Sequence, residues 1–294
     1  MPQGAGTDFS PDEADMRYGL NLPNGAVDPA TLAEFAFLAE QAGWDGVFLE
    51  DYIVWQGDQE VETLDPWIAL AVMATRTKRV RLGTLVTPLA RRRPWKVARE
   101  TVTLDHLSGG RVILGVGVGD TVSTDISFTL FGEELDLRKR AAMLDEALEV
   151  LVGLWSGETY SHDGDHYHVG GVKLLPGPYQ KPRIPIWVGG GYPLAGPTRR
   201  AASWDGSCLY RHGSHYLTPD DVRDLGAYVR KVRGTLDGYD IVVGGTPRRE
   251  DWQEEREYIH SLEEAGTTWW IEYVPPDDPD AMRTRVARPP LRAG

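Results

Sequence analysis

The sequence predicts a (β/α)₈ barrel, and three observations predict it. Eight short apolar runs alternate with segments of helical periodicity. No two-residue hairpin turn separates the first four of these runs, so their sheet is expected to be parallel. The 294 residues are ordinary for one α/β barrel, which needs about 250.

Each element can be justified in order. Residues 1–15 lack periodicity and are rich in Gly, Pro and acids, so they read as a loosely held arm. The single domain is placed at 16–287, and 288–294 form a fraying tail. MRYGLNLP is the first strand; Pro29 opens a helix with Leu32, Phe35, Ala36 and Ala39 on one face and Gly43 as its stop. GVFLED is the second strand, ending in two carboxylates, and a loop too long for a simple connector follows it. Asp65 and Pro66 start the next helix as N-cap and first-turn residue. VRLGTLVT and RVILGVGVG flank the helix 94–107 as the third and fourth strands. TVSTDISFTLFGEE is irregular, and a long helix then carries Leu144, Leu148, Leu151 and Trp155 at helical spacing. Residues 156–183 show no helical period and read as an excursion, a small hairpin over the barrel edge. IPIWVGGG, GSCLYRH, DIVVGG and TTWWIEYVP are strands five to eight.

Composition narrows the function. The chain is 41% hydrophobic and 26% charged, enough to bury a large core in a soluble domain. Its formal net charge of −13 argues against a nucleic-acid partner, because such binding needs Lys and Arg to neutralise phosphates. No stretch is apolar enough for a membrane span. Cys208 is the only cysteine, so no intrachain disulfide is possible, and with no signal segment the expected location is cytoplasmic.

In a parallel barrel the chemistry gathers at the carboxyl ends of the strands. Thr84 to Pro88 and Gly117 to Asp120 are therefore expected to share one mouth. The alternating Gly115, Gly117 and Gly119 do not match the dinucleotide fingerprint; they either relieve crowding inside the barrel or let a flat ligand approach the backbone. Gly189, Gly190 and Gly191 lie between a strand and a helix, where backbone N–H groups can hold a phosphate or simply make a turn. Glu50, Asp51, Asp120 and Glu272 fall at strand ends and either do acid/base work or hold nearby arginines. Tyr52 and Trp55 can wall a pocket. Of Trp269 and Trp270, neighbours in one strand, one faces the barrel and the other the helices. The run Arg91-Arg92-Arg93 reads as a solvated loop or a phosphate or subunit contact. His162, Asp163, Asp165, His166 and His168 lie in the excursion and read as a solvated hairpin rather than a metal site. No G-x-S-x-G elbow and no P-loop is present.

The segments TLDHLSGGRVILGVGVGD, FGEELDLRKRAAMLDEALEVLVGLWSGE and LLPGPYQKPRIPIWVGGG together resemble the bacterial luciferase-like flavin monooxygenase superfamily, in order and spacing from about Met16 to Ala287. The resemblance implies a barrel with a flavin laid across the strand ends. It implies an oxidoreductase using either reduced FMN with O₂, the reading placed first, or the deazaflavin F420 as a hydride carrier; a barrel that binds flavin without turnover is the other alternative. By the same resemblance Asp51, Thr84, Leu85, Val86, Thr87, Gly117, Gly119, Gly189, Gly190 and Gly191 hold the cofactor, with a non-prolyl cis peptide expected at Leu85-Val86. Asp120 and Tyr52 are the candidates for proton transfer, and Asn21, Trp55, Tyr210, His212, Trp270 and Glu272 surround a small organic substrate. Tyr52 stands where F420-dependent members often carry a catalytic His, whereas GVGVGD resembles the strand end of F420-using members. A homodimer and a separate flavin or F420 reductase are the implied partners.

Overall fold

The structure, a computed structural model, describes residues 16–57, 60–120, 125–211 and 216–292. The expected arm at 1–15, His212 and the last two residues of the tail lie outside the described residues.

Eight parallel strands close into a barrel. In chain order they are β1 (Arg17–Leu22), β2 (Gly46–Leu49), β3 (Arg81–Pro88), β4 (Val112–Gly117), β7 (Ile186–Tyr192), β8 (Gly206–Arg211), β9 (Asp240–Thr246) and β10 (Trp269–Tyr273). β10 pairs with β1 and closes the ring. The excursion between β4 and β7 contains an antiparallel pair, β5 (Thr159–Asp163) and β6 (His168–Lys173). The helices are α1 (Pro29–Ala42), α2 (Pro66–Arg76), α3 (Pro94–Ser108), α4 (Ser127–Leu130), α5 (Leu137–Trp155), α6 (Ala195–Ala202), α7 (Pro219–Arg233), α8 (Trp252–Ala265) and α9 (Pro279–Val286). Only α4 falls in a segment that reads as irregular, since four residues are too few to show a helical period.

Local chemistry explains where the helices begin and end. Asp28 accepts from the backbone N–H groups of Ala30 and Thr31, and Asp65 from Ile68, each just ahead of a first-turn proline. Gly43, Gly109, Gly234 and Gly266 end α1, α3, α7 and α8 in the left-handed conformation that glycine adopts without a Cβ penalty. At α7 the Thr218 hydroxyl and the Asp221 carboxylate cap one another's backbone N–H groups. Thr218→Ala is expected to cost about 1 kcal/mol, read by chemical denaturation, with Thr218→Ser close to wild type.

Two apolar layers result. Between barrel and helices lies the large core, which includes Leu20, Leu49, Leu70, Leu114, Leu148, Ile186 and Trp270. Inside the barrel Phe48, Ile113, Trp187, Val242, Trp269 and Ile271 pack together, joined by Leu85 and Cys208. Trp187 and Trp269 meet edge to face with centroids 5.3 Å apart, and Phe48 lies within 5.9 Å of both. Trp187 Nε1 donates to Asp240 at 3.1 Å, at the amino end of β9, where Arg17 of β1 also pairs with that carboxylate. The interior is therefore filled and tied at its lower end. Space for a ligand remains at the carboxyl ends.

The hairpin is fastened to α5 by one carboxylate. Glu146 accepts from the backbone N–H groups of His166 and Tyr167 and contacts His162 Nε2 at 3.1 Å. His168 pairs with Asp163 instead. Among the described residues no group of three or more His, Cys, Asp or Glu side chains is placed to hold a metal ion, and no helix is long and apolar enough to cross a membrane.

Candidate active site at the carboxyl ends of the strands

A cavity of about 690 Å³ opens at this end of the barrel. Its two sides differ chemically. On one side Gly117 of β4 and Gly189 and Gly190 of β7 bring bare backbone to the surface beside Leu85 and Val86 of β3. A Cβ at Gly117 would stand 2.8 Å from Val86 Cγ2, and one at Gly189 would stand 3.1 Å from Val86 Cγ1. Such a wall has room for a flat ring system to lie against the backbone, room that any larger residue would fill. The Leu85–Val86 peptide is cis, at the position expected from the resemblance. Gly119, at φ +78°, lies under the Phe128 ring, where a side chain has neither space nor a favourable backbone conformation.

The other side is polar. Glu50, Asp51 and Tyr52 reach the cavity from the end of β2, and Asp120 and Tyr210 stand at its rim. Burial and then the Asp120 charge push the Tyr210 phenol above its ordinary value, which marks these two groups as electrostatic neighbours. Glu50 Oε2 accepts from Trp55 Nε1 at 3.0 Å. Burial raises its carboxyl to about 7, against the opposing effect of hydrogen bonds from Trp55 and Gln56.

Asp51 is the hub beneath this side. Its carboxylate accepts from Thr87 Oγ1 at 2.8 Å and from Arg92 at 2.6 Å, and it pairs with Arg91 at 3.3 Å. Arg91 also binds Asp125, which in turn accepts from the Ser127 hydroxyl. The Arg91 side chain is 1% exposed and that of Asp51 is fully buried. Burial alone would lower the Arg92 pKa, but the Asp51 charge outweighs it and holds the guanidinium above its ordinary value. The expectation of a solvated Arg91-Arg92-Arg93 loop is thus corrected for the first two residues. Their partner carboxylate lies about forty residues upstream and nothing local announces it. Arg93 stacks over Trp95.

Of the residues singled out in the sequence, Asp51, Tyr52, Leu85, Val86, Gly117, Gly119, Asp120, Gly189, Gly190 and Tyr210 all line the one cavity. Thr84 and Thr87 sit behind its wall, fully buried, where Thr87 Oγ1 lies 2.9 Å from Thr84 Oγ1 and Thr84 Oγ1 donates to the Gly115 carbonyl. Gly191 lies one residue beyond the lining of β7, and Trp55 acts through Glu50.

Trp270 and Glu272 are not brought to the cavity. β10 turns Trp269 and Ile271 inward, so Trp270 and Glu272 face the helices. Trp270 stacks on Tyr216 at 6.2 Å and meets Tyr258 edge on. Glu272 pairs with Arg248 at 2.8 Å, and burial raises its pKa despite that arginine. Their expected contact with substrate is corrected by this parity.

Asn21 faces the barrel interior but is not among the residues that line the cavity. A Cβ at Gly19 would meet Ile271 and Phe48 of the barrel interior, so the residue two further along β1 points the same way. Its Oδ1 is buried and accepts no hydrogen bond from the described residues. Among the lining features that receive no site assignment from the sequence alone, two stand out. Tandem Gly244 and Gly245 end β9, both with positive φ, and a doublet at a strand end is the signal that could have found them. Glu50 is visible only as one of several strand-end acids.

The fold is a (β/α)₈ barrel whose carboxyl-end cavity is lined by glycine backbone and by ionisable groups. A family model described as luciferase-like monooxygenase matches residues 14–257, and the chain belongs to that family. A relative from Microbacterium testaceum, F420-dependent glucose-6-phosphate dehydrogenase, is 33% identical over 225 residues, covering 76% of this chain and 62% of that protein. The chain therefore spans less than two thirds of that relative's length. The coenzyme F420-dependent tetrahydromethanopterin reductase of Methanopyrus kandleri superposes with a TM-score of 0.74 at 18% identity, over 94% of this chain and 99% of that one. A monooxygenase from Streptomyces bottropensis gives 0.72 at 21% identity, over 92% and 96%. These two likenesses establish shared fold.

Proposed function

We propose that this chain is an F420-dependent oxidoreductase that moves a hydride between the deazaflavin and a carbinol or carbonyl carbon of a small organic molecule. The observation that carries the reading is the glycine wall of Gly117, Gly189 and Gly190, which brings bare backbone to the cavity beside Leu85 and Val86. The relatives' activity favours F420 over reduced FMN with O₂, which reverses the order in which the sequence reading places the two cofactors. Leu85 and Val86 would flank the ring, and the start of α6, whose first N–H groups have no side-chain cap, would face the cofactor's phosphate. When bound, the deazaflavin supplies a two-electron hydride acceptor; the protein supplies orientation and electrostatics. Tyr52, Asp120 and Tyr210 stand on the side left for substrate. A homodimer and a separate enzyme that recycles the cofactor complete the reading.

Titration of the purified chain with F420 and with FMN tests it. Saturable binding of F420 with tighter affinity than FMN is expected. Tighter FMN binding, with oxygen consumed on reduction, would return the FMN reading to first place, and binding of neither by a folded chain would reject both.

A further inference from the structure

Three adjacent strands, β10, β1 and β2, carry polar residues at their carboxyl ends, and of these Glu50 lines the cavity. Phe48 faces the barrel interior, and Glu50 follows it by two. Ile271 faces inward, and Tyr273 follows it by two. Asn21 of β1 pairs in register with Tyr273 on one side and Phe48 on the other. Burial and the nearby Glu50 and Tyr52 groups push the Tyr273 phenol up, so these side chains share one electrostatic environment. Glu50 is the carboxylate among them.

Resting on the dehydrogenase reading above, we propose that Glu50 is the catalytic proton acceptor for the substrate hydroxyl, returning the proton when the carbonyl is reduced. In the oxidising direction the carbinol C–H bond breaks and its hydrogen leaves with the electron pair to the deazaflavin. The O–H bond breaks with its proton passing to the Glu50 carboxylate, and the C–O bond becomes C=O. The role requires a substrate that presents a hydroxyl or carbonyl group to Glu50, which lines the cavity.

The other acids are less suited. Asp51 already serves Thr87, Arg91 and Arg92 from a fully buried position. Asp120 is exposed at the rim. Glu50 is half-buried, is oriented by Trp55 and Gln56, and faces Tyr52 and Tyr273 as its titratable neighbours. Its value of about 7 is that of an effective proton acceptor near neutrality.

Glu50→Gln and Glu50→Asp in the full chain test the role, with F420 and a panel of primary alcohols, secondary alcohols and aldoses as probes. Glu50→Gln is expected to lower kcat about 10²- to 10⁴-fold and to remove the rise of kcat/KM with pH around 7, leaving F420 affinity unchanged. Glu50→Asp is expected to keep a pH-dependent rise at reduced rate. A second readout needs no cofactor. Because burial raises the folded carboxyl above its unfolded value of 4.5, its stabilising contribution is full below that value and is lost as pH rises through about 7. The Tm of Glu50→Gln relative to wild type should therefore rise between pH 5 and pH 8. A variant that keeps the pH–rate profile overturns the role, as does a wild type active on none of the panel or a Tm difference flat with pH. Failure of the wild type to bind F420 overturns the dehydrogenase reading and this role together; binding with a profile unmoved by Glu50→Gln overturns this role alone.

Discussion

Replacement of Asp51 by Ala should destabilise the barrel by about 3–5 kcal/mol, because it leaves buried cations without their counter-charge. Arg91 and Arg92 both terminate on this carboxylate, with side chains 1% and 17% exposed, and Thr87 donates to it from the wall of the cavity. Asp125 still holds Arg91 in the variant, but no second carboxylate stands as close to Arg92, whose next acid, Asp65, is 3.8 Å away. For a domain of this size the loss corresponds to a fall in Tm on the order of 10 °C. Asp51→Asn keeps an acceptor for Thr87 while removing the charge, so its loss should be smaller but still large. Denaturant melts of the three proteins decide the matter. A loss below about 1 kcal/mol for Asp51→Ala would show that the arginines find water or other partners, as exposed pairs do.

Gly189→Val should have the opposite profile, keeping the fold and losing the cofactor. At this position a Cβ meets Val86 Cγ1 at 3.1 Å and Cys208 Sγ and the Val116 carbonyl at 3.5 Å. The first contact is tight and the others ordinary, so one added carbon is accommodated by a small shift of the valine. The two further methyl groups must project into the cavity, where the ring is proposed to lie. We expect F420 affinity to fall at least about 100-fold, while overpacking costs about 1–3 kcal/mol of stability. Gly189→Ala should fall between. Fluorescence titration reads the affinity and a melt reads the fold; unchanged binding by a folded Gly189→Val would move the ring away from β7.

Legibility in the sequence followed the range of the interactions involved. The eight strands and most of the helices could be read because caps, terminal glycines and apolar periods are local, as at Asp28, Pro29 and Gly43. The glycine wall was legible too, since Gly117 and Gly189 end strands whose carboxyl ends must converge in a barrel. The facing of β10 was not. A strand buried on both sides has no polar alternation, so Trp269 and Trp270 could not be told apart until Ile271 and Glu272 supplied the parity. The burial of Arg91 and Arg92 was hidden for a different reason, since their partner comes from the preceding β-strand's end and only the parallel pairing of β2 with β3 brings the two together. Glu50 and Asp51 were equivalent as adjacent acids. What separates them is that one is surrounded by cations and the other by aromatic rings and an amide.

The division of the cavity between two sets of strands bears on how such a protein can change over generations. The proposed ring seat is built by β3, β4 and β7, whereas Asn21, Glu50 and Tyr273 come from β1, β2 and β10. In the closed ring these sets adjoin only where β2 meets β3, since β8 and β9 separate β7 from β10. Substitutions in contact-free sets combine nearly additively. A lineage could therefore exchange one substrate for another through β1 and β10 while its redox partner stays the same, which makes this barrel a scaffold open to new specificities under selection.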